Sequence, residues 1–106
     1  MKLLFKTNNP ESLEADIIEM IEADKLQTWT IRTSESIKYF KHTGQWSKKG
    51  VIQLIASTSL GHLKVEVLKF KSTTEAVKDF EGYYLGRFCE LIFLNFPDRF
   101  TSIGKE

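Results

Sequence analysis

Apolar residues change their spacing twice along the chain, and each change predicts a different element. Residues 2–6 form a short apolar run bounded by lysines, which is typical of a strand. Asn9 then suits a helix N-cap and Pro10 the first helical position, where its missing N–H costs nothing. Apolar residues follow at helical spacing, namely Leu13, Ile17, Met20 and Ile21. The pattern predicts a strand and then an amphipathic helix with an acidic outer face.

The middle of the chain has a period of two, which is typical of strands that are exposed to solvent on one face. Four such strands are predicted, at residues 27–33, 36–46, 51–57 and 62–67. Residues 47–50, with Gly50 in the left-handed region, suit a type I turn between the second and third of them. The segment therefore predicts an antiparallel meander.

The C-terminal third returns to helical spacing. An apolar stripe recurs at Val77, Phe80, Tyr84, Phe88 and Leu91. Ser72 and Glu75 have the spacing of a capping box. Together they predict one long helix over residues 72–96, ended by Pro97, with a last extended piece at residues 99–103.

The resulting order, β-α-β-β-β-β-α, predicts a single α+β domain over residues 1–106. We expect an antiparallel sheet of about five strands with two helices packed on one face, which leaves the other face open. This order resembles that of TATA-binding-protein-like domains and, more loosely, that of the helix-grip lipid-binding folds. The resemblance is one of topology, and it implies an architecture without a site.

The net charge, its distribution and the length of the apolar runs limit which classes of protein this chain can belong to. The net charge is only +1, whereas a nucleic-acid-binding domain is usually strongly basic. The charge is uneven, however: residues 11–24 contain six acids and no base, and residues 25–71 contain nine lysines or arginines against two acids. A single cysteine and the absence of a long apolar run predict a cytoplasmic protein without a membrane segment.

Few residues suggest catalysis or metal binding. His42 and His62 are predicted at opposite ends of the sheet, roughly 20 Å apart at ~3.3 Å per residue, so they cannot share a metal. Cys89 lies in the apolar half of the second helix and is predicted to be a structural thiol. Gly82 and Gly86 are expected to let a neighbouring element approach that helix closely. We therefore predict a protein that is not an enzyme and has no cofactor.

The open face of the sheet is the predicted interaction surface. If Ile52 and its alternate neighbours face the helices, Val51 and Ile55 point away, and pairing across the turn places Trp46 beside Val51. A bulge at Gly44 would decide whether Tyr39 or Phe40 joins them, and the sequence leaves both open. The predicted surface consists of Trp46, Val51, Ile55, Phe40, Arg32 and Lys64.

Three binding functions fit such a face. Its apolar residues favour a protein partner or a second copy of the chain, which is the first expectation. Its aromatic and basic residues are typical of platforms on which nucleic acids stack, which is the alternative. A second alternative is a small apolar ligand held between the sheet and the C-terminal helix beside Tyr84 and Phe88. A solvated face without a binding role remains the fourth interpretation.

Overall fold

The computed structural model describes residues 1–23, 28–44 and 47–106, which form one antiparallel sheet and two α-helices. The strands are β1 (Lys2–Lys6), β2 (Trp29–Ser34), β3 (Ile37–His42), β4 (Gly50–Ser57), β5 (His62–Lys69) and β6 (Ser102–Lys105). The helices are α1 (Pro10–Glu22) and α2 (Glu81–Asn95), with a short 3₁₀ turn at Val77–Asp79 before α2. The strand order across the sheet is β2-β3-β4-β5-β1-β6.

The predicted α+β class and antiparallel sheet are confirmed, with one strand more than the meander and β1 provide. The additional strand is β6, which pairs with the outer side of β1 through Phe5 opposite Ile103. An extended piece was expected at residues 99–103, and it lies slightly later, at Ser102–Lys105. The sheet therefore ends in β2 on one side and β6 on the other.

Helix α1 begins as predicted. The Asn9 side-chain oxygen accepts a hydrogen bond from the Ser12 N–H at 3.3 Å, and Pro10 occupies the first helical turn. Leu13 and Ile17 are fully buried against the sheet. Asp16 on the outer side is held by Arg99, whose guanidinium donates to it at 2.6 Å.

Helix α2 is shorter than predicted, because the predicted capping box at Ser72 and Glu75 does not start a helix. The Glu75 carboxylate instead pairs with Lys49 at 2.9 Å, and the Thr73 hydroxyl donates to the Lys49 carbonyl at 2.7 Å. These contacts tie residues 72–76 to the turn before β4. The helix starts only at Glu81 and, at about 1.5 Å per residue, is about 22 Å long.

Both helices cover the same face of the sheet, where the buried apolar residues form one cluster. Phe88 of α2 packs against Trp29 of β2 and Phe40 of β3, with ring centres 5.2 and 5.5 Å apart. The Tyr84 hydroxyl donates to the Gly50 carbonyl at 2.8 Å and accepts from the His42 N–H at 3.0 Å. One buried side chain of α2 thus satisfies backbone groups of both β3 and β4.

The glycines have different roles from those predicted. Gly50 does not adopt a left-handed conformation; it is the first residue of β4, where a Cβ would lie 2.3 Å from the Leu68 carbonyl oxygen. Only glycine allows β4 and β5 to approach so closely at this point. The close approach expected at Gly82 and Gly86 is wrong for the part of the chain that the structure describes, because no atom there lies within 4 Å of a Cβ built on either residue.

Candidate binding site on the open face of the sheet

The face of the sheet opposite the helices contains a concavity of about 580 Å³. Its walls are contributed by four neighbouring strands and by the segment that follows β5. The lining residues are Arg32, Ser34, Tyr39, Val51, Leu68, Lys69, Phe70 and Lys71. A concavity of this volume lies within the range that binds small molecules or one segment of a polymer.

Val51 forms the floor of this concavity and is covered without the help of a helix. It is only 7% exposed although it lies outside the helix-covered core cluster. Arg32 on β2 and Phe70 after β5 reach toward each other, with the guanidinium carbon 5.9 Å from the ring centre. Two strands, β3 and β4, lie between them in the sheet. The two side chains therefore bridge the intervening strands.

The cations around the concavity have no acidic partner in the part of the chain that the structure describes. Within the described ranges, no carboxylate lies within 4.0 Å of a side-chain nitrogen of Arg32, Lys69 or Lys71. Lys69 donates to the backbone carbonyl of Glu75 at 3.4 Å, and strand alternation directs its side chain toward the helix-covered face, so Arg32 and Lys71 are the cations that face the concavity. Cations lining a concave surface without nearby acids create a positive potential that attracts anions.

The other half of the open face, on β1 and β5, is more nearly balanced in charge, because two of its three lysines pair with carboxylates. Lys2 lies 3.8 Å from Glu66 and 3.7 Å from Glu106, and Lys64 lies 3.1 Å from Glu106. The hydrogen bond from Lys64 lowers the pKa of the Glu106 carboxyl, and the charges of Lys64 and Lys2 act in the same direction. Lys6 is the lysine of this half without a carboxylate within 4.0 Å among the described residues, so fewer cations lack an acidic partner here than around the concavity.

Among the described residues of the predicted surface, Phe40 is the one that lies on the opposite face, toward the helices. It is 1% exposed, packs against Phe88 and pairs with Ile52, which also faces the helices. Because neighbouring residues of a strand point to opposite faces, Tyr39 is the residue that lies on the open face. The question that the sequence left open is settled in favour of Tyr39.

The other predicted residues are divided between the two halves of the open face. Arg32 and Val51 lie together in the concavity, although the low exposure of Val51 was not expected. Ile55 and Lys64 pair with each other across β4 and β5, on the balanced half. Ile55 is four residues from Val51, or about 13 Å along the strand. Trp46 lies outside the residues that the structure describes.

Sequence reasoning missed Leu68, Phe70 and the lysines on either side of Phe70. The strand predicted at residues 62–67 continues to Lys69, and alternation then places Leu68 on the same face as Lys64. Phe70 continues this series one step past the strand end. The alternation across "EVLKFK" was a usable signal for placing Leu68 and Phe70 on the open face. The contact between Phe70 and Arg32 depends on the curvature of the sheet and could not be predicted from that alternation.

Two of the residues considered for catalysis or metal binding, Cys89 and His42, make structural contacts. Cys89 is buried, and burial raises the pKa of its thiol to about 11. His42 packs edge-on against Trp29, and its Nδ1 accepts a hydrogen bond from the Gly44 N–H at 2.9 Å. Burial, together with the charge of Arg87, lowers the pKa of His42. Among the residues described, no group of three or more His, Cys, Asp or Glu could hold a metal ion.

Side chains fill the space between the sheet and α2, where a small apolar ligand was the second alternative. Tyr84 and Phe88 are fully buried, and both rings pack against Trp29 with centres less than 6 Å away. These two side chains are core residues. None of the described helices is long and apolar enough to cross a membrane.

The chain matches no protein-family model, and no curated protein or solved structure is significantly similar to it. The concavity combines an apolar floor, two aromatic rings and two cations, Arg32 and Lys71, without described acidic partners. Such a combination suits an anionic ligand that has an apolar or flat part.

Proposed function

We propose that this protein is a non-catalytic binding module that holds an anionic partner in the concavity on the open face of its sheet. The observation that carries this proposal is the contrast between the two halves of that face. On the β1 side, Lys2 and Lys64 each have a carboxylate within 4.0 Å, and Lys6 is the lysine of that half for which the described residues provide none. Around the concavity, Arg32 and Lys71 have none among the described residues.

The individual residues suit complementary parts of such a partner. An arginine guanidinium binds a carboxylate or phosphate through two parallel hydrogen bonds, which gives direction as well as affinity. Lys71 adds a positive charge that increases the rate of encounter with an anion. Val51, Leu68 and Tyr39 provide an apolar surface for the uncharged part of the partner.

The proposal can be tested by nuclear magnetic resonance with short-chain polyphosphate as a generic anion. Backbone amide signals of Arg32, Tyr39 and residues 68–71 are expected to shift in a saturable manner, and the affinity is expected to fall as salt is added. Arg32→Gln should weaken binding several-fold, whereas Lys64→Gln on the balanced half should leave it unchanged. Shifts that are absent, or that occur only around Lys2 and Lys64, would contradict the proposal.

Self-association through the same face is a second candidate, favoured by three exposed aliphatic residues. Ile37 is 43% exposed, Ile55 37% and Leu68 36%, and all three lie on the open face. Partly exposed aliphatic side chains on a sheet lose contact with water when a second copy covers them. Sedimentation velocity over a range of concentrations should then show a dimer that Ile55→Asp abolishes. A wild-type chain that sediments as a monomer at its highest concentration would reject this candidate.

A further inference from the structure

We propose that the anionic partner is a single-stranded nucleic acid, with a base stacked on Tyr39 and its phosphates bound by Arg32 and Lys71. This inference rests on the proposed function of the concavity as an anion-binding site. It adds the chemical class of the partner, and it follows from the aromatic rings that accompany the cations.

Tyr39 provides a stacking surface on the open face. Its side chain is half-buried in the wall of the concavity, and no other aromatic ring of a described residue packs against it. A nucleobase stacks on such a ring whatever its sequence, because every base has a flat π-face. The carboxylates of an acidic peptide would pair with the cations but would make no contact that requires this ring.

Arg32 is placed to bind a phosphate beside that ring. Its guanidinium lies 5.9 Å from the Phe70 ring centre, near the outer limit of about 6 Å for a favourable cation–π contact. Such a contact orients the planar group but does not use its hydrogen-bond donors, which remain available for a phosphate. Lys71 lines the concavity after β5, so a cation lies on each side of the ring.

The size and position of the concavity favour a single strand over a duplex. Its volume of about 580 Å³ suits an individual nucleotide unit of a strand. In a duplex the faces of the bases are covered by their stacked neighbours, so Tyr39 could not reach one. In a single strand the bases can turn outward and stack on a sheet surface.

A second copy of the chain is a poorer source of negative charge. Its most acidic surface is the outer face of α1, yet two carboxylates there already have partners. Asp16 binds Arg99 at 2.6 Å, and Glu22 binds Lys38 at 3.1 Å. Docking that face onto the concavity would require these ion pairs to be shared or broken.

The test uses fluorescence anisotropy with labelled single-stranded RNA and DNA oligonucleotides of about ten nucleotides, which is within the usual site size. Affinity should fall with salt, and Arg32→Gln or Lys71→Gln should each reduce the slope of log affinity against log salt by about 0.7. Tyr39→Ala should weaken binding roughly five- to hundredfold, whereas Tyr39→Phe, which keeps the ring, should bind like the wild type. Lys64→Gln is the control for a lysine outside the concavity, and circular dichroism establishes that each variant is folded.

Competition with other anions separates this inference from the proposed function. If short-chain polyphosphate or an acidic peptide displaces the oligonucleotide at equal charge concentration, and Tyr39→Ala has no effect, nucleic acid is wrong while anion binding stands. If a mononucleotide binds as tightly as the oligonucleotide, the partner is a small ligand and not a polymer, and the inference is wrong. If no anion binds, or if Arg32→Gln changes nothing, both the inference and the proposed function fail.

Discussion

The two faces of the sheet bury their central residues by different means. On the covered face, Phe40 is enclosed by the helices and packs against Phe88. On the open face, Val51 is almost as well buried, although it lies outside the helix-covered cluster and in the concavity that Arg32 and Phe70 also line. A helix is fixed in position by its contacts with the whole core. A long side chain at the surface is fixed by only one or two contacts.

This difference separates the residues that stabilise the fold from those that can move to admit a partner. A cation–π contact at an exposed site contributes about 0.5–1 kcal/mol, while a buried aromatic side chain contributes several times as much. Strand alternation assigns the neighbours Tyr39 and Phe40 to opposite roles. Substitutions on the two faces should therefore have clearly different consequences.

The largest effect is expected from Phe40→Ala, which removes a fully buried ring from the covered face. We expect it to lower the free energy of unfolding by about 3–5 kcal/mol, as measured by chemical denaturation. Tyr39→Ala on the same strand is the matched control and should cost about 1 kcal/mol or less. Equal losses at the two positions would mean that the faces contribute alike to stability.

The next effect concerns Cys89, which the covered face shields from water. Because its pKa is raised from 9.0 to about 11, the thiolate fraction at pH 8 should be roughly a hundredfold lower than for an ordinary thiol. Reaction with a disulfide reagent should be slower by at least that factor, and its rate should continue to rise with pH beyond 9. A cysteine placed on the open face by Ile55→Cys, in a Cys89→Ala background, should react at the ordinary rate. A folded Cys89 whose rate levels off below pH 9 would contradict the prediction.

A smaller effect is expected from Tyr84→Phe, which keeps the ring and removes only the hydroxyl. The Gly50 carbonyl and the His42 N–H would each lose the bond that this hydroxyl makes with them. The expected loss is about 1–3 kcal/mol in the free energy of unfolding. The comparison is Tyr39→Phe on the open face, which should change stability by about 0.5 kcal/mol at most. If both variants were as stable as the wild type, the Tyr84 hydroxyl would have no structural role.

The smallest effect is expected from Lys64→Gln, in the balanced half of the open face. Loss of the Lys64 hydrogen bond should return the pKa of Glu106 toward its ordinary value of 4.5, as followed by nuclear magnetic resonance. Since the folded pKa is the lower one, the ion pair stabilises the fold above pH 4.5 and this contribution disappears as the pH falls through the folded value. Unfolding at neutral pH should be unchanged within error, because exposed ion pairs contribute little. A wild-type Glu106 that already titrates near 4.5 would show that the pair does not form.

Local patterns in the sequence predicted the elements well where neighbouring residues alone determine them. The period of two located the strands of the meander, and Asn9 with Pro10 located the start of α1, because capping and alternation act within a few residues. The predicted start of α2 was wrong because residues distant in sequence bind the segment before it. The Lys49 ammonium pairs with the Glu75 carboxylate, and the Lys49 carbonyl accepts a hydrogen bond from the Thr73 hydroxyl.

The site was predicted less completely than the fold, for a physical reason. Arg32 and Val51 were placed on the correct face, because alternation decides the side of a strand from which a residue projects. Which residues meet there depends on pairing and curvature, which bring Phe70 toward Arg32 across two strands. The choice between Tyr39 and Phe40 likewise required the pairing of Phe40 with Ile52.

Gly50 connects both faces through a single backbone unit. Its carbonyl accepts the hydrogen bond from Tyr84 of α2, and its missing side chain lets the Leu68 carbonyl approach from β5. Even an alanine at this position would force β5 away and displace Leu68, which lines the concavity. The shape of the open surface can therefore be altered from behind, by engineering a residue that no ligand would touch.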